Sequence, residues 1–181
     1  DDLARQGKAA DDNVQQLSFK RDGYNDEVTG IDHWNAWTPA NSNYSAVNSP
    51  VIQGYTPDKP AVEESTVNPT DKDTEITVVY SPDAQHMTIT YVDDTTHETL
   101  KQDKLDGTSD QDAKYTTGNI IKHYTDLHYK LVSDSTNGQD LIFDHDDKAD
   151  QTYEVHFVHG THTINQTTSP KQTIHYVYAD D

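Results

Sequence analysis

Cysteine is absent from the chain. That removes disulfides, thiolate zinc sites and cysteine nucleophiles together. Secreted animal domains of this size commonly use disulfides as staples. The absence therefore fits a cytosolic protein, or a surface protein of a bacterium that does without them. Basic residues are scarce as well: 13 Lys and Arg stand against 32 Asp and Glu, a formal charge of −19. Binding DNA, RNA or anionic lipid needs clustered Lys and Arg, so nucleic-acid partners are excluded. Aliphatic runs never exceed a few residues, which excludes membrane insertion by a helix. No apolar signal segment opens the chain, and DDLARQGKAADD reads as the interior of a longer protein. Leu, Ile, Val and Phe together number 32 of 181 residues, which with the high charge is a signature of disorder. Eleven Tyr and two Trp offset it, because each buries a large apolar area.

Periodicity decides for a folded protein. Ile76, Val78 and Tyr80 share one face of ITVVY, and Met87, Ile89 and Tyr91 one face of MTITYV. Tyr153, Val155 and Phe157 do so in YEVHFV, and Ile174, Tyr176 and Tyr178 in TIHYVY. Such alternation marks half-buried strands rich in β-branched and aromatic residues. VQQLSFKR adds a strand with Leu17 and Phe19 on one face, and DGYNDEVTG supplies turn chemistry. Pro50, Pro57, Pro60 and Pro69 predict an extended or looped stretch. TTGNIIKHYTDLHYKL breaks the pattern: Ile120, Ile121, Tyr124 and Leu127 form a helical stripe, with Thr116 or Thr117 as its cap. Around it the order is strand, strand, helix, strand, strand. This is the β-grasp arrangement, and the fold class expected is α+β, mostly β.

The chain also repeats itself. DKDTEITVVYSPDAQHMTITYVDD and DQTYEVHFVHGTHTINQTTSPKQTIHYVYADD share a plan of Asp and Thr, alternating strand, polar link and second strand ending in Asp-Asp. The expected organisation is two tandem elongated modules. Residues 1–80 form a β-rich module lacking its first strand, and residues 81–162 a complete β-grasp module. Residues 163–181 are read as the first strand of a further module, so that the chain is one slice of a tandem array. The first module then keeps a bare sheet edge, unless residues 172–178 of a neighbouring molecule complete it head to tail.

IQGYTPDKPAV, NPTDKDTEITVVY, ITYVDDTTHETL, YKLVSDS and DQTYEVHFVHGT, in that order, resemble the mucus-binding (MucBP and Mub) repeats of lactobacillus surface adhesins. The resemblance covers nearly the whole chain. It implies an extracellular, cell-wall-attached adhesin of many repeats, held to the wall by a region outside this chain, whose partners are mucin glycoproteins. Related β-grasp repeats bind immunoglobulins, which makes antibody capture an alternative, and a spacer role in a surface stalk a third.

Sugar recognition needs an aromatic platform flanked by hydrogen-bonding groups. HWNAWTPANSNY offers Trp34, Trp37 and Tyr44 among Asn35, Asn41 and Asn43. The competing expectation places one or both tryptophans in the core. Their spacing in a strand puts them on opposite faces, so at most one is buried. Tyr55, in GYTPDK, is a further platform candidate, though packing beneath its own Pro-rich turn is the preferred expectation. FDHDDKADQ presents Asp144, Asp146, Asp147 and Asp150 as oxygen ligands for calcium. It lacks the Gly and distal Glu of an EF-hand, so a solvated turn is expected and no cofactor. His156, His159 and His162 are expected at exposed strand positions and not as a zinc site. Protonation of all ten histidines would remove ten of the 19 negative charges, which predicts stronger mucin binding in mild acid. A GxSxG elbow and a Gly-rich phosphate loop are both missing, and the chain is not expected to be an enzyme.

Overall fold

The computed structural model describes residues 7–179. Among these residues the fold is mostly β with a single short helix. In the first half, strands β1 (Gly23–Asp26) and β2 (Ile31–Trp34) make a hairpin. Gly30 closes its turn at φ +73°, a conformation open to glycine. Then come β3 (Ser42–Tyr44), β4 (Val47–Asn48), β5 (Tyr55–Pro57), β6 (Ala61–Val62), β7 (Ser65–Val67) and β8 (Tyr80–Pro82). β3 pairs with β7, β4 with β6 and β5 with β8, all antiparallel. The proline-rich stretch is thus extended, as expected, and it carries short ladders.

The second half holds β9 (Ala84–Asp93), β10 (Glu98–Thr108), α1 (Gly118–Asp126), β11 (Tyr129–Asp134) and β12 (Gln151–His159). These four strands form one sheet in the order β10-β9-β12-β11, in which the central pair β9 and β12 is parallel and the outer pairs antiparallel. Parallel neighbours need a long crossover, and the route through β10, α1 and β11 supplies it. Alternation delivers the core: Met87, Ile89, Tyr91, Val155 and Phe157 are buried on one face, joined by Leu141 and Phe143. Ile120, Ile121 and Tyr124 of α1 pack against them, so the predicted stripe is the packing face. Leu127 falls just past the helix end and stays exposed, since helical spacing no longer directs it inward. Thr117 occupies the N-cap position without a capping bond; its hydroxyl donates to Asp134 at 2.7 Å instead. Tyr91 and Tyr115 join hydroxyls at 2.8 Å, and Tyr115 donates to Asp103 at 2.5 Å. Burial, then the bond to Asp103, holds the Tyr115 phenol protonated far above its ordinary range.

Three strand expectations differ from the structure. Leu17 and Phe19 are half-buried with exposed neighbours, but residues 14–19 join no ladder. In ITVVY only Tyr80 enters a strand, and Ile76 and Val79 are more than half exposed. TIHYVY pairs with nothing among the described residues, leaving Ile174, Tyr176 and Tyr178 exposed. The physical reason is shared: alternation prepares a segment for a sheet but does not supply the neighbouring strand. Asp1, Asp2, Asp180 and Asp181, on which the phase of the repeat rests, lie outside the described residues.

Candidate functional site

The hairpin builds the most distinctive surface feature. In register, Gly23 faces Trp34 and Tyr24 faces His33. Farther from the turn Lys20 faces Thr38, so one strand spends an extra residue between these points. Such a bulge rephases side-chain alternation. It brings Trp37 to the same side as Trp34, and the Arg21 guanidinium lies between their rings, 4.5 and 4.6 Å from the two centroids. The opposite-face expectation is corrected by that extra residue. The core expectation is corrected too: Trp34 is 55% exposed and Trp37 half-buried. The Trp34 ring lies across Gly23, where an added Cβ would sit 2.8 Å from Cε3. Beside it Tyr24 and His33 stack at 4.9 Å and 18°.

A cation sandwiched by two indoles gains about 0.5–1 kcal/mol from each at an exposed site. Arg21 forms no ion pair with any described residue, so the N–H edge of its guanidinium remains available. Trp34 itself remains more than half exposed. The cluster thus offers a flat apolar platform beside a fixed positive charge, in a chain otherwise dominated by carboxylates. Sequence reasoning missed Arg21. The signal was in KRDGYNDEVTGIDHW: extending the hairpin register from its turn brings Arg21 opposite the stretch between the tryptophans.

The remaining platform candidates sit elsewhere. Tyr44, in β3, is half-buried beside a groove described below. Tyr55, in β5, is half-buried and reaches beyond its own turn. Its hydroxyl donates to Asp110 in the second half, and its ring meets that of His145 edge-on at 6.0 Å. Asp110 accepts from both sides of the junction, with His145 Nε2 at 2.6 Å from its other oxygen. Gly54, at φ +76°, lets the chain approach Ser109 and His145 closely there.

The aspartates of FDHDDKADQ diverge. Asp144 accepts from the Asp146 amide, Asp146 from the Lys148 amide, and Asp147 from Gln85 Nε2 at 2.7 Å. Asp150 is exposed. Among the described residues no three carboxylates or imidazoles gather as a metal site. The expectation of exposed strand positions holds for His159, at the end of β12, while His162 is exposed outside any strand and His156 needs revision. His156 is half-buried between Asp94, 2.8 Å from Nδ1, and Glu154, 3.2 Å from Nε2. The Asp94 hydrogen bond raises its pKa above the ordinary value, against burial. His159 meets Asp93 at 2.8 Å. Burial opposes ionisation of Asp93, yet donors from Thr95, Thr96 and His159 outweigh it and hold its pKa below the usual carboxylate range. These pairs join residues more than sixty positions apart, beyond the reach of local pattern.

Comparison with known families decides the identity. Residues 3–84 match the model of the Muc B2-like domain, and residues 85–159 that of a mucin binding domain. The chain belongs to the mucus-binding repeats. The two matched stretches are consecutive and cover most of it. Among solved structures, the type 2 repeat of the mucus binding protein MUB from Lactobacillus reuteri shares 38% identity over 42% of this chain and 41% of that chain, with a TM-score of 0.39. The crystal structure of Mub-RV shares 45% identity over 42% of this chain and 39% of that one, with a TM-score of 0.37. The alignments thus span less than half of each solved chain. A search of curated proteins gives no match. Among the described residues of this mucus-binding repeat, no helix is long and apolar enough to cross a membrane.

Proposed function

We propose that this repeat binds mucin glycans at the Trp34–Arg21–Trp37 sandwich, as a non-enzymatic adhesin module on a bacterial surface. The carrying observation is a half-exposed indole beside a guanidinium with no carboxylate partner among the described residues. The C–H face of a sugar stacks on the exposed Trp34 ring. The guanidinium edge donates to a carboxylate or sulfate of an acidic sugar, for which a bidentate fork is the suited geometry. A shallow site on one hairpin binds weakly, and repetition strengthens it: linked copies exceed single-site affinity by about 10² to 10⁴. The central parallel pair with its helical crossover supports reading the second half as a rigid β-grasp module. The location that follows is extracellular, with attachment to the cell wall outside this chain.

The test is a glycan array and immobilised mucin, probed with the wild-type repeat and with Trp34→Ala, Trp37→Ala and Arg21→Ala. Near-identical amide NMR spectra over residues 40–159, with the β1–β2 cross-strand contacts Tyr24–His33 and Asp26–Ile31 retained, establish that each variant is folded. Trp34→Ala is expected to lose binding to all sugars about tenfold or more, the value of one stacked aromatic. Arg21→Ala is expected to lose acidic sugars selectively. Mucin binding retained by all three variants rejects the site.

A second reading rests on β10, an eleven-residue strand at the edge of the sheet. Its outer backbone groups fit strand addition by an immunoglobulin domain. Binding to enzymatically deglycosylated antibody separates it from glycan recognition.

A further inference from the structure

The described residues of the first half have no buried apolar core of their own. Among residues 7–83 the one fully enclosed residue is Gly54, and no apolar side chain is buried. Apolar groups are present nonetheless. Val47, Ile52, Val62, Ile76, Val78 and Tyr80 line a groove of about 1300 Å3, bordered by residues 7–13 and 108–111. Native interiors are close-packed, and apolar walls left facing water forgo their burial energy.

One wall of the groove is an unfinished strand edge. The Val79 amide donates to Asp58 and its carbonyl accepts from the Asp58 amide, while Lys59 Nζ donates to the Thr77 carbonyl. In an extended chain successive residues direct these groups to opposite edges, so those of Ile76 and Val78 face the other way. No described residue bonds them.

The same chain carries a strand without a sheet. Residues 161–179 are exposed throughout and hydrogen-bond to no described residue. Within them Ile174, Tyr176 and Tyr178 are 60%, 90% and 100% exposed on one face. In the single chain this segment stays off the groove, none of whose lining residues lies beyond Gln111. The charges match as well. Residues 155–179 contain no Asp or Glu and include Lys171 and His175, whereas the groove walls carry Asp11, Asp12, Glu63 and Glu75.

We propose that residues 172–178 of one copy insert as a strand along residues 74–80 of a second copy. Ile174, Tyr176 and Tyr178 then cover Val47, Val62 and Ile76 and complete the missing core. Groove and strand lie at different places on the chain, so the contact is heterologous and each copy both gives and receives. Such contacts propagate head to tail and do not stop at a dimer.

Sedimentation velocity of the whole chain from micromolar to millimolar concentration tests this. Wild type is expected to grow in mass steadily with concentration. Ile174→Asp/Tyr176→Asp alters only exposed side chains, leaves the fold intact and is expected to stay monomeric. Ile76→Lys/Val78→Asp, blocked in the groove, is expected to stay monomeric as well. A mixture of the two variants has one working strand and one working groove, and forms a 1:1 dimer and nothing larger. A synthetic peptide of residues 169–179, added to the first variant, is expected to shift amide NMR signals of residues 44–52 and 74–80. Introducing Tyr176→Asp into the peptide weakens its binding about 10–100-fold, the loss of one buried aromatic. Association that survives both double variants overturns the proposal, and so does a wild type that is monomeric throughout with no peptide shifts. Protection of residues 172–178 from amide exchange within a monomer overturns it too, because the strand would then fold onto its own chain.

Discussion

Gly107 is the position where a single methyl group is expected to do most damage. It lies in β10 opposite Gln85, under the ring of Phe143. A Cβ there would lie 2.5 Å from Phe143 Cδ2, nearer still to Cε2, and 2.9 Å from Gln111 Oε1. Carbon atoms rest at about 3.5–4.0 Å, so the ring must retreat by about 1 Å. It has little room to do so. Phe143 is buried in the cluster with Leu141. Its backbone is also pinned on both sides, its amide donating to the Gln111 carbonyl at 2.9 Å and its carbonyl accepting from the Asp110 amide at 3.0 Å. Overpacking of this kind costs about 1–3 kcal/mol, less about 0.5–1 kcal/mol for the backbone entropy that Ala saves relative to Gly. Expulsion of the ring would approach the cost of Phe→Ala, about 3–5 kcal/mol. The central values leave a net loss of about 1.3 kcal/mol, and for a domain of this size each kcal/mol is worth about 4–8 °C, so Gly107→Ala is expected to lower the Tm of the second half by roughly 5–10 °C, and by more if the ring is expelled. Melts followed by far-ultraviolet circular dichroism on Gly107→Ala, Phe143→Leu and the double variant measure it. A smaller side chain at 143 makes room for the methyl group, so the double variant is expected to be more stable than the sum of the single losses by about 0.5 kcal/mol or more. A Gly107→Ala melt within about 1 °C of wild type, or strict additivity in the cycle, refutes the reasoning. The effect also reaches the junction between the halves, because the loop after Gly107 carries Asp110 and the segment after Phe143 carries His145, which meet at the hydroxyl and ring of Tyr55.

His156 makes stability depend on pH in a defined direction. Its folded pKa is raised by Asp94 and Glu154, so its contribution is fully present below the unfolded value, about 6.5, and is lost as pH rises through the folded one. Asp94→Asn is expected to flatten that part of the Tm–pH curve on the alkaline side of about 6.5, and equal slopes in the two proteins contradict the assignment. The same shift moves the His156 share of the acid-linked charge change towards higher pH. Tyr55→Phe removes a hydrogen bond to a carboxylate at the junction, worth about 1.5–3 kcal/mol when well formed and less at this half-exposed site. Amide exchange at Asp83, whose N–H donates to the Gly54 carbonyl at 2.9 Å, is expected to speed up while the β9–β12 core stays unchanged; unaltered exchange at Asp83 sinks the role given to Tyr55.

The second half was legible because its information is local. Met87, Ile89 and Tyr91 keep a period of two, Ile120, Ile121 and Tyr124 a period near 3.6, and each stripe faces one core. Tyr55, His156 and His159 could not be paired from the sequence for the opposite reason. Their partners lie 55 to 66 residues away, and nothing in a strand's own pattern names a carboxylate on another element. The tryptophans failed through one extra residue, which no propensity marks. ITVVY and TIHYVY present a different failure. Both alternate as well as MTITYV does, yet Ile76 and Ile174 are exposed where Ile89 is sealed. Alternation is selected by burial on one face, so two segments with that pattern and little or no burial each fit a missing neighbour. One of them borders a groove without a filling and the other is a strand without a groove. A pattern that makes no sense within a single chain becomes consistent when the sheet is allowed to run from one copy into the next, and under the proposed strand insertion the positions that defeat single-chain reasoning are the ones that would join the copies.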